Sequence, residues 1–230
     1  MNVRVTRYLE GARGATGHAV IVDVFRAFTT AAFCIAAGAR DIVLVADHER
    51  ALAMKRNDPT LFLTGEIGGR PIPGFDAGNS PSTIVGLDLE GRRAVQRTSA
   101  GTQGVVAAAG ASEILLGSLV IAGATARYLC SRAADVTVVA MGHKGVEEAV
   151  EDEACAEYLA ALLEGRDARL REIPFHAEYY PGGWPDWFPR RDAELACEVD
   201  RFDFALPVTR EGGLLIARPA RPGTNAAASG

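Results

Sequence analysis

Short β-branched runs alternate with longer Ala- and Leu-rich runs at helical period, which predicts an α/β fold of three layers, α/β/α, with helices covering both faces of a largely parallel or mixed sheet. Two further observations support that class. The chain's 230 residues are 48% apolar and 23% charged, the balance of a globular protein large enough to bury a sizeable core. Its most polar segments fall directly after predicted strands, where open α/β sheets place their ligand sites. Residues 1–218 read as one domain without repeats, and 219–230 as a disordered tail.

Along the chain, 18–24 reads as the first strand and 28–37 as its helix, closed by Gly38. A strand at 42–46 leads into a helix capped by Asp47 that runs to about Arg56, and 61–64 is the third strand. It feeds GEIGGRPIPGFDAGNSP at 65–81, where five Gly and three Pro mark a functional loop and Asn79-Ser80-Pro81 marks a helix start. A strand at 93–98, a helix at 102–109, a strand at 113–116, a helix at 120–133 and a strand at 136–141 follow. The helix at 151–163 has one buried face, through Ala154, Cys155, Tyr158, Leu159 and Leu162. The rings of 173–191 (Phe175, Tyr179, Tyr180, Trp184, Trp187 and Phe188) are too many to leave in water, so they cover a core edge or a subunit contact, and a homodimer is the expectation. Residues 205–208 and 214–217 read as a closing hairpin around Glu211-Gly212-Gly213.

A net charge of −5 gives no electrostatic case for nucleic acid or an anionic membrane. No stretch approaches the ~20 apolar residues of a membrane span, and the first apolar run, 19–22, is broken at once by Asp23 and Arg26, so no targeting segment is read. Cys34, Cys130, Cys155 and Cys197 are too scattered for a metal knuckle or a disulfide framework, which fits reduced, mostly buried thiols in a cytoplasmic protein. His18, His48, His143 and His176 show no metal spacing and read as surface or packing histidines.

Three polar clusters sit at strand ends: Asp23 and Arg26 with Thr29 and Thr30; Glu66 through Ser80; and Thr98-Ser99-Ala100-Gly101-Thr102. The last is a strand-to-helix turn whose free amides suit an anion, with Arg26 and Arg97 as guanidinium donors. Asp23, Glu66 and Asp76 supply carboxylates that either hold Mg²⁺ or act as acid and base. Asp23 ends an apolar strand, where an ionised group needs a partner. A G-x-x-x-x-G-K-[ST] loop is absent, as is D-x-D, since Phe25 stands two residues after Asp23.

DVFRAFTT at 23–30, the 65–81 loop, RTSAGT at 97–102 and EDEACA at 151–156 together resemble the 2-phosphosulfolactate phosphatase family, whose members read approximately DVLRATTT, GERGG…GFDLGNSP, TTTNGT and EDxxCA in this order. The resemblance covers roughly 15–215. It implies an α/β, Mg²⁺-dependent phosphatase that converts 2-phosphosulfolactate to 3-sulfolactate and phosphate in the route to coenzyme M. Carried over by position, it implicates Asp23, Arg26, Thr29, Thr30, Glu66, Gly68, Gly69, Asp76, Gly78, Asn79, Ser80, Pro81, Thr98, Gly101, Thr102, Glu151 and Asp152, with Cys155 inside the last motif. On this reading Asp23, Asp76 and Glu66 hold the metal, while Arg26 and the 98–102 turn, Ser99 included, clamp anionic oxygens. Attack by water competes with a covalent phosphoryl-enzyme through Asp23, Ser99 or Cys155. Ile67 stands where the family has Arg, and Ala100 where it has Asn; Arg97 is the candidate to replace the lost charge. The alternatives are another small phosphorylated hydroxy acid as substrate, or a non-catalytic anion-binding homologue.

Overall fold

The computed structural model describes residues 1–132, 134–173 and 184–221. The strands are β1 (Val3–Arg7), β2 (His18–Val22), β3 (Asp41–Leu44), β4 (Phe62–Ile67), β5 (Arg70–Pro71), β6 (Ala77–Gly78), β7 (Arg93–Arg97), β8 (Glu113–Gly117), β9 (Val136–Ala140), β10 (Leu206–Glu211) and β11 (Leu214–Ala217). The helices are α1 (Tyr8–Arg13), α2 (Ala27–Ala36), α3 (His48–Asn57), α4 (Pro81–Ile84), α5 (Gly101–Ala107), α6 (Ala122–Cys130), α7 (Val150–Leu163) and α8 (Arg190–Ala196). Local chemistry accounts for several boundaries. Asp47 caps α3 through Glu49 N–H at 3.0 Å, and Pro81 opens α4 behind Ser80.

The sheet order is β1-β9-β2-β8-β10-β11-β3-β7-β4-β5, with β6 beside β4. It holds two parallel blocks, β1/β9/β2/β8 and β3/β7/β4. Between them lies the β10/β11 hairpin, antiparallel to β8 on one side and to β3 on the other. The hairpin expected at the end of the chain therefore forms, but in the middle of the sheet. Three successive antiparallel steps reverse the sense of the second block relative to the first. Twist of roughly 20–25° per strand pair turns the blocks across one another. Their carboxyl ends meet, as the bond from Gln96 Nε2 in β7 to Ala27 O in α2 shows at 2.7 Å.

Both faces of the sheet are buried. Ala19, Ile21, Ile114 and Leu116 pack with α1, α2 and α5, while Val20, Val22, Leu115 and Val138 pack with α6 and α7. Val43, Leu63 and Val95 cover Ala51 of α3. This two-sided burial is why the strands read as continuous apolar runs. It makes the three layers.

Several details differ from the sequence expectation. β1, α1 and α8 were not anticipated because they are short and weakly patterned. The helix expected at 120–133 is a 3₁₀ turn, Leu119–Ile121, followed by α6. Cys34 and Cys155 are buried, but Cys130 is exposed. Phe175, His176, Tyr179, Tyr180 and the segment 222–230 lie outside the described residues. Among the described residues no helix is long and apolar enough to cross a membrane.

Candidate active site

A cleft of about 560 Å³ opens where the carboxyl ends of β2, β4, β7 and β9 meet. Asp23, directly after β2, is buried there. Its Oδ1 accepts Ala27 N–H at 3.0 Å and its Oδ2 accepts Gly101 N–H at 2.8 Å. Asp152, in the first turn of α7, accepts Val24 N–H at 2.7 Å and Gly142 N–H at 2.8 Å. Glu66 accepts Ser99 N–H at 2.5 Å, Gly69 N–H at 2.6 Å and Ser99 Oγ–H at 3.0 Å. Each carboxylate is thus held by main-chain donors from two segments, which fixes the loops as well as the side chain.

These bonds revise the role expected for the 98–102 turn. Its Ser99 and Gly101 amides face an anion, but the anions are the protein's own Glu66 and Asp23. Gly101 is required here by close approach, since a Cβ would lie 2.8 Å from both Ala27 Cβ and Asp23 Oδ2. Thr98 and Thr102 bond reciprocally, each hydroxyl accepting the other's N–H, at 2.8 and 3.0 Å.

The carboxylates also repel one another. Burial first, and then the charges of Glu66 and Glu151, push the Asp23 carboxyl up to about 7 against its two main-chain bonds. Asp152 is raised well above the ordinary carboxyl range by burial, then by Asp23 and Glu151. The cleft lining includes Asp23, Glu66, Glu147, Glu148, Glu151 and Asp152 against Arg26 and Lys144. It is short of positive charge.

Arg26 follows a cis peptide bond from Phe25 and is 4% exposed. Its Nη1 donates to Trp187 O at 2.8 Å and Asp192 Oδ2 at 2.7 Å, and its Nη2 donates to Gly69 O at 3.3 Å. The guanidinium lies 4.6 Å from the centroid of Phe188 and 5.8 Å from that of Trp187. Of its five N–H donors, Nε–H and one on Nη2 have no acceptor among the described residues. Gly69 has φ of +85°, and a Cβ there would come within 2.5 Å of Trp187 Cζ3, so the loop touches this aromatic wall only as glycine.

Of the expected site residues, Asp23, Arg26, Glu66, Gly68, Gly69, Asn79, Ser99, Glu151 and Asp152 line the cleft. Asp76 does not: its carboxylate is taken by Lys55 and by Leu63 N–H, so it pins the loop to β4 from outside. Arg97 does not supply the missing charge, because it donates to Glu66 O at 2.7 Å and Ala46 O at 3.2 Å. Thr29 bonds Val24 O and Ser118 Oγ, and Thr30 is buried in α2. Ser80 bonds Asp192 Oδ1 at 2.8 Å. Cys155 sits in the apolar layer with Val20 and Leu159, where burial raises its thiol well above the ordinary range, so it is no nucleophile.

The sequence reading missed His143, Lys144, Glu147 and Glu148, which line the cleft after β9. The rule that found the other three strand ends applies there too. It also missed Asp192, and it gave Trp187 and Phe188 only as packing. A divalent cation fits the cleft's oxygen donors, which include the buried Asn79 Oδ1, without a hydrogen-bond partner among the described residues. Among the described residues no three acidic, His or Cys side chains converge on one point.

The sequence model described as 2-phosphosulpholactate phosphatase matches residues 7–180. The chain belongs to the 2-phosphosulpholactate phosphatase family. A probable 2-phosphosulfolactate phosphatase of Deinococcus radiodurans is 38% identical over 149 residues, 63% of this chain and 62% of that protein. Similarly named relatives from Carboxydothermus hydrogenoformans and a Synechococcus strain are 37% and 34% identical over 71% and 80% of this chain, and 68% and 77% of their own lengths. The match thus spans less than two thirds of the Deinococcus relative. Trp187 and Phe188, which close one side of the cleft, and Asp192, which bonds Arg26 from behind it, lie beyond the span matched by the family model.

Proposed function

We propose that the chain is a Mg²⁺-dependent phosphomonoesterase that hydrolyses 2-phosphosulfolactate to 3-sulfolactate and inorganic phosphate. Family membership and the relatives' names support the substrate. The observation that carries the chemistry is the anchoring of Asp23, Asp152 and Glu66 by main-chain N–H groups beside the Arg26 donors that have no acceptor among the described residues. Arg26 Nε–H and Nη2–H receive two phosphoryl oxygens, a bidentate contact that also orients phosphorus. Asp23 and Asp152 would hold Mg²⁺, with Asn79 Oδ1 as a neutral oxygen. When bound, the ion supplies positive charge that offsets both the clustered carboxylates and the polyanionic substrate.

Glu151, whose charge acts on both Asp23 and Asp152, takes a proton from the water that attacks phosphorus as the ester P–O bond breaks. The leaving alkoxide is protonated from solvent at the open mouth. Lys144 faces the sulfonate or carboxylate, and Phe25, Trp187 and Phe188 exclude water from the Arg26 side. A second reading, another small phosphorylated hydroxy acid, is favoured by Ala100 lining the cleft while Arg97 is spent on carbonyls. Phosphate release from 2-phosphosulfolactate, phospholactate and phosphoglycerate, with Mg²⁺ and with chelator, tests both. The first reading expects metal-dependent turnover with 2-phosphosulfolactate preferred at least tenfold. A preference for a substrate without sulfonate moves the assignment to the second, and no release from any of the three overturns both.

A further inference from the structure

Asp192 is 0% exposed and lies in α8, beyond the span matched by the family model, yet it holds four donors from two other parts of the molecule. Its Oδ2 accepts Arg26 Nη1–H at 2.7 Å. Its Oδ1 accepts Ser80 Oγ–H at 2.8 Å, Ser82 N–H at 3.0 Å and Ser82 Oγ–H at 2.5 Å. A buried carboxylate is tolerated only with such compensation, and here the compensation joins the Arg26 segment to the start of α4.

We infer that Asp192 is a positioning residue, which holds Arg26 by Nη1 and so leaves the Nε and Nη2 donors for the phosphoryl group. The inference rests on reading the cleft as a phosphate site. Trp187 O takes the second Nη1 proton and Gly69 O takes one from Nη2, so rotation of the guanidinium would break three bonds together. The rings of Phe188 and Trp187 lie beside it, 4.6 and 5.8 Å from the guanidinium carbon to their centroids. Ser80 and Ser82 fix Asp192 in turn, so the Asn79-Ser80-Pro81 turn and Arg26 are set by one carboxylate. Without it Arg26 keeps its charge but loses its direction, and a planar fork a small distance out of place binds phosphate far less well.

A double-mutant cycle on inorganic phosphate binding tests this, because it needs no turnover and so separates failure here from failure of the proposed activity. Arg26→Gln, Asp192→Asn and the double variant are titrated with phosphate by calorimetry in Mg²⁺ buffer. Each single variant is expected to bind at least tenfold more weakly, and the double no more weakly than Arg26→Gln alone. Losses that multiply, or unchanged affinity in Asp192→Asn, overturn the inference. Circular dichroism checks folding. If Asp192→Asn does not fold, Ser82→Ala replaces it: it removes one Asp192 donor without touching Arg26, is expected to weaken phosphate binding severalfold, and binding equal to wild type overturns the inference. If the wild type binds phosphate but hydrolyses no ester, the proposed function fails while this test stands.

Discussion

Replacing Asp23 by Asn separates the electrostatic burden of the cleft from its hydrogen bonding. In the unfolded chain this carboxyl titrates near 3.8; in the fold it titrates at about 7, chiefly because it is buried. Between those values the folded protein holds the extra proton, so stability falls as pH rises through the window and levels off above it. From pH 5 to pH 8.5 roughly two units of that window remain, at about 1.36 kcal/mol each, so wild-type protein should lose about 2–3 kcal/mol through this group. Asn does not titrate. It offers one acceptor where Asp23 offers two, so either Ala27 N–H or Gly101 N–H loses its partner, at a pH-independent cost of about 1–3 kcal/mol. Relief of Asp152, which the Asp23 charge also raises, acts in the same direction as the loss of titration. Urea unfolding of chelator-treated wild type and Asp23→Asn at the two pH values measures the difference. It should move in favour of Asn by about 2–3 kcal/mol between pH 5 and pH 8.5. Stability curves that stay parallel over this range would refute the account of Asp23 as a strained buried carboxyl.

Three other perturbations read different parts of the molecule. Glu151→Gln should lower kcat at least a hundredfold with little change in KM, because the group acts on the water rather than on bound substrate; a change confined to KM in steady-state assays would contradict that role. Asp76→Asn should cost about 1 kcal/mol in thermal unfolding and leave turnover within twofold, since its partners Lys55 and Leu63 lie outside the cleft. A loss of turnover of about tenfold or more would put Asp76 back among the reacting groups. A maleimide should label exposed Cys130 in the native protein while Cys34 and Cys155 react only after unfolding, and mass spectrometry showing fast Cys155 labelling with inactivation would reopen a thiol intermediate.

Much of the molecule is legible in the chain because its signals are local. The β-branched runs at 18–24, 93–98 and 136–141 become β2, β7 and β9, and Asp47 and Pro81 mark helix starts whose capping needs no distant partner. The DVFRAFTT, GEIGG and RTSAGT segments stand out by residue type and strand-end position and EDEACA only by resemblance to the family, and Asp23, Glu66, Ser99 and Asp152 do share one cleft. What each residue does there was not legible. Asp76 and Arg97 have the right chemistry in the right motifs, but Lys55 and the carbonyls of Ala46 and Glu66 take them up, and only packing reveals such partners.

By itself the sequence determined the α/β class, the order of most elements and the family, since periodicity, caps and motif order are properties of neighbouring residues. The tertiary structure decided the rest. It set the C-terminal hairpin into the middle of the sheet, turned the 99–101 amides toward the protein's own carboxylates, and brought Asp192 to Arg26 across 166 positions of sequence. Those outcomes depend on which buried donors and acceptors must satisfy one another once water is gone, and that pairing exists only when the chain is folded.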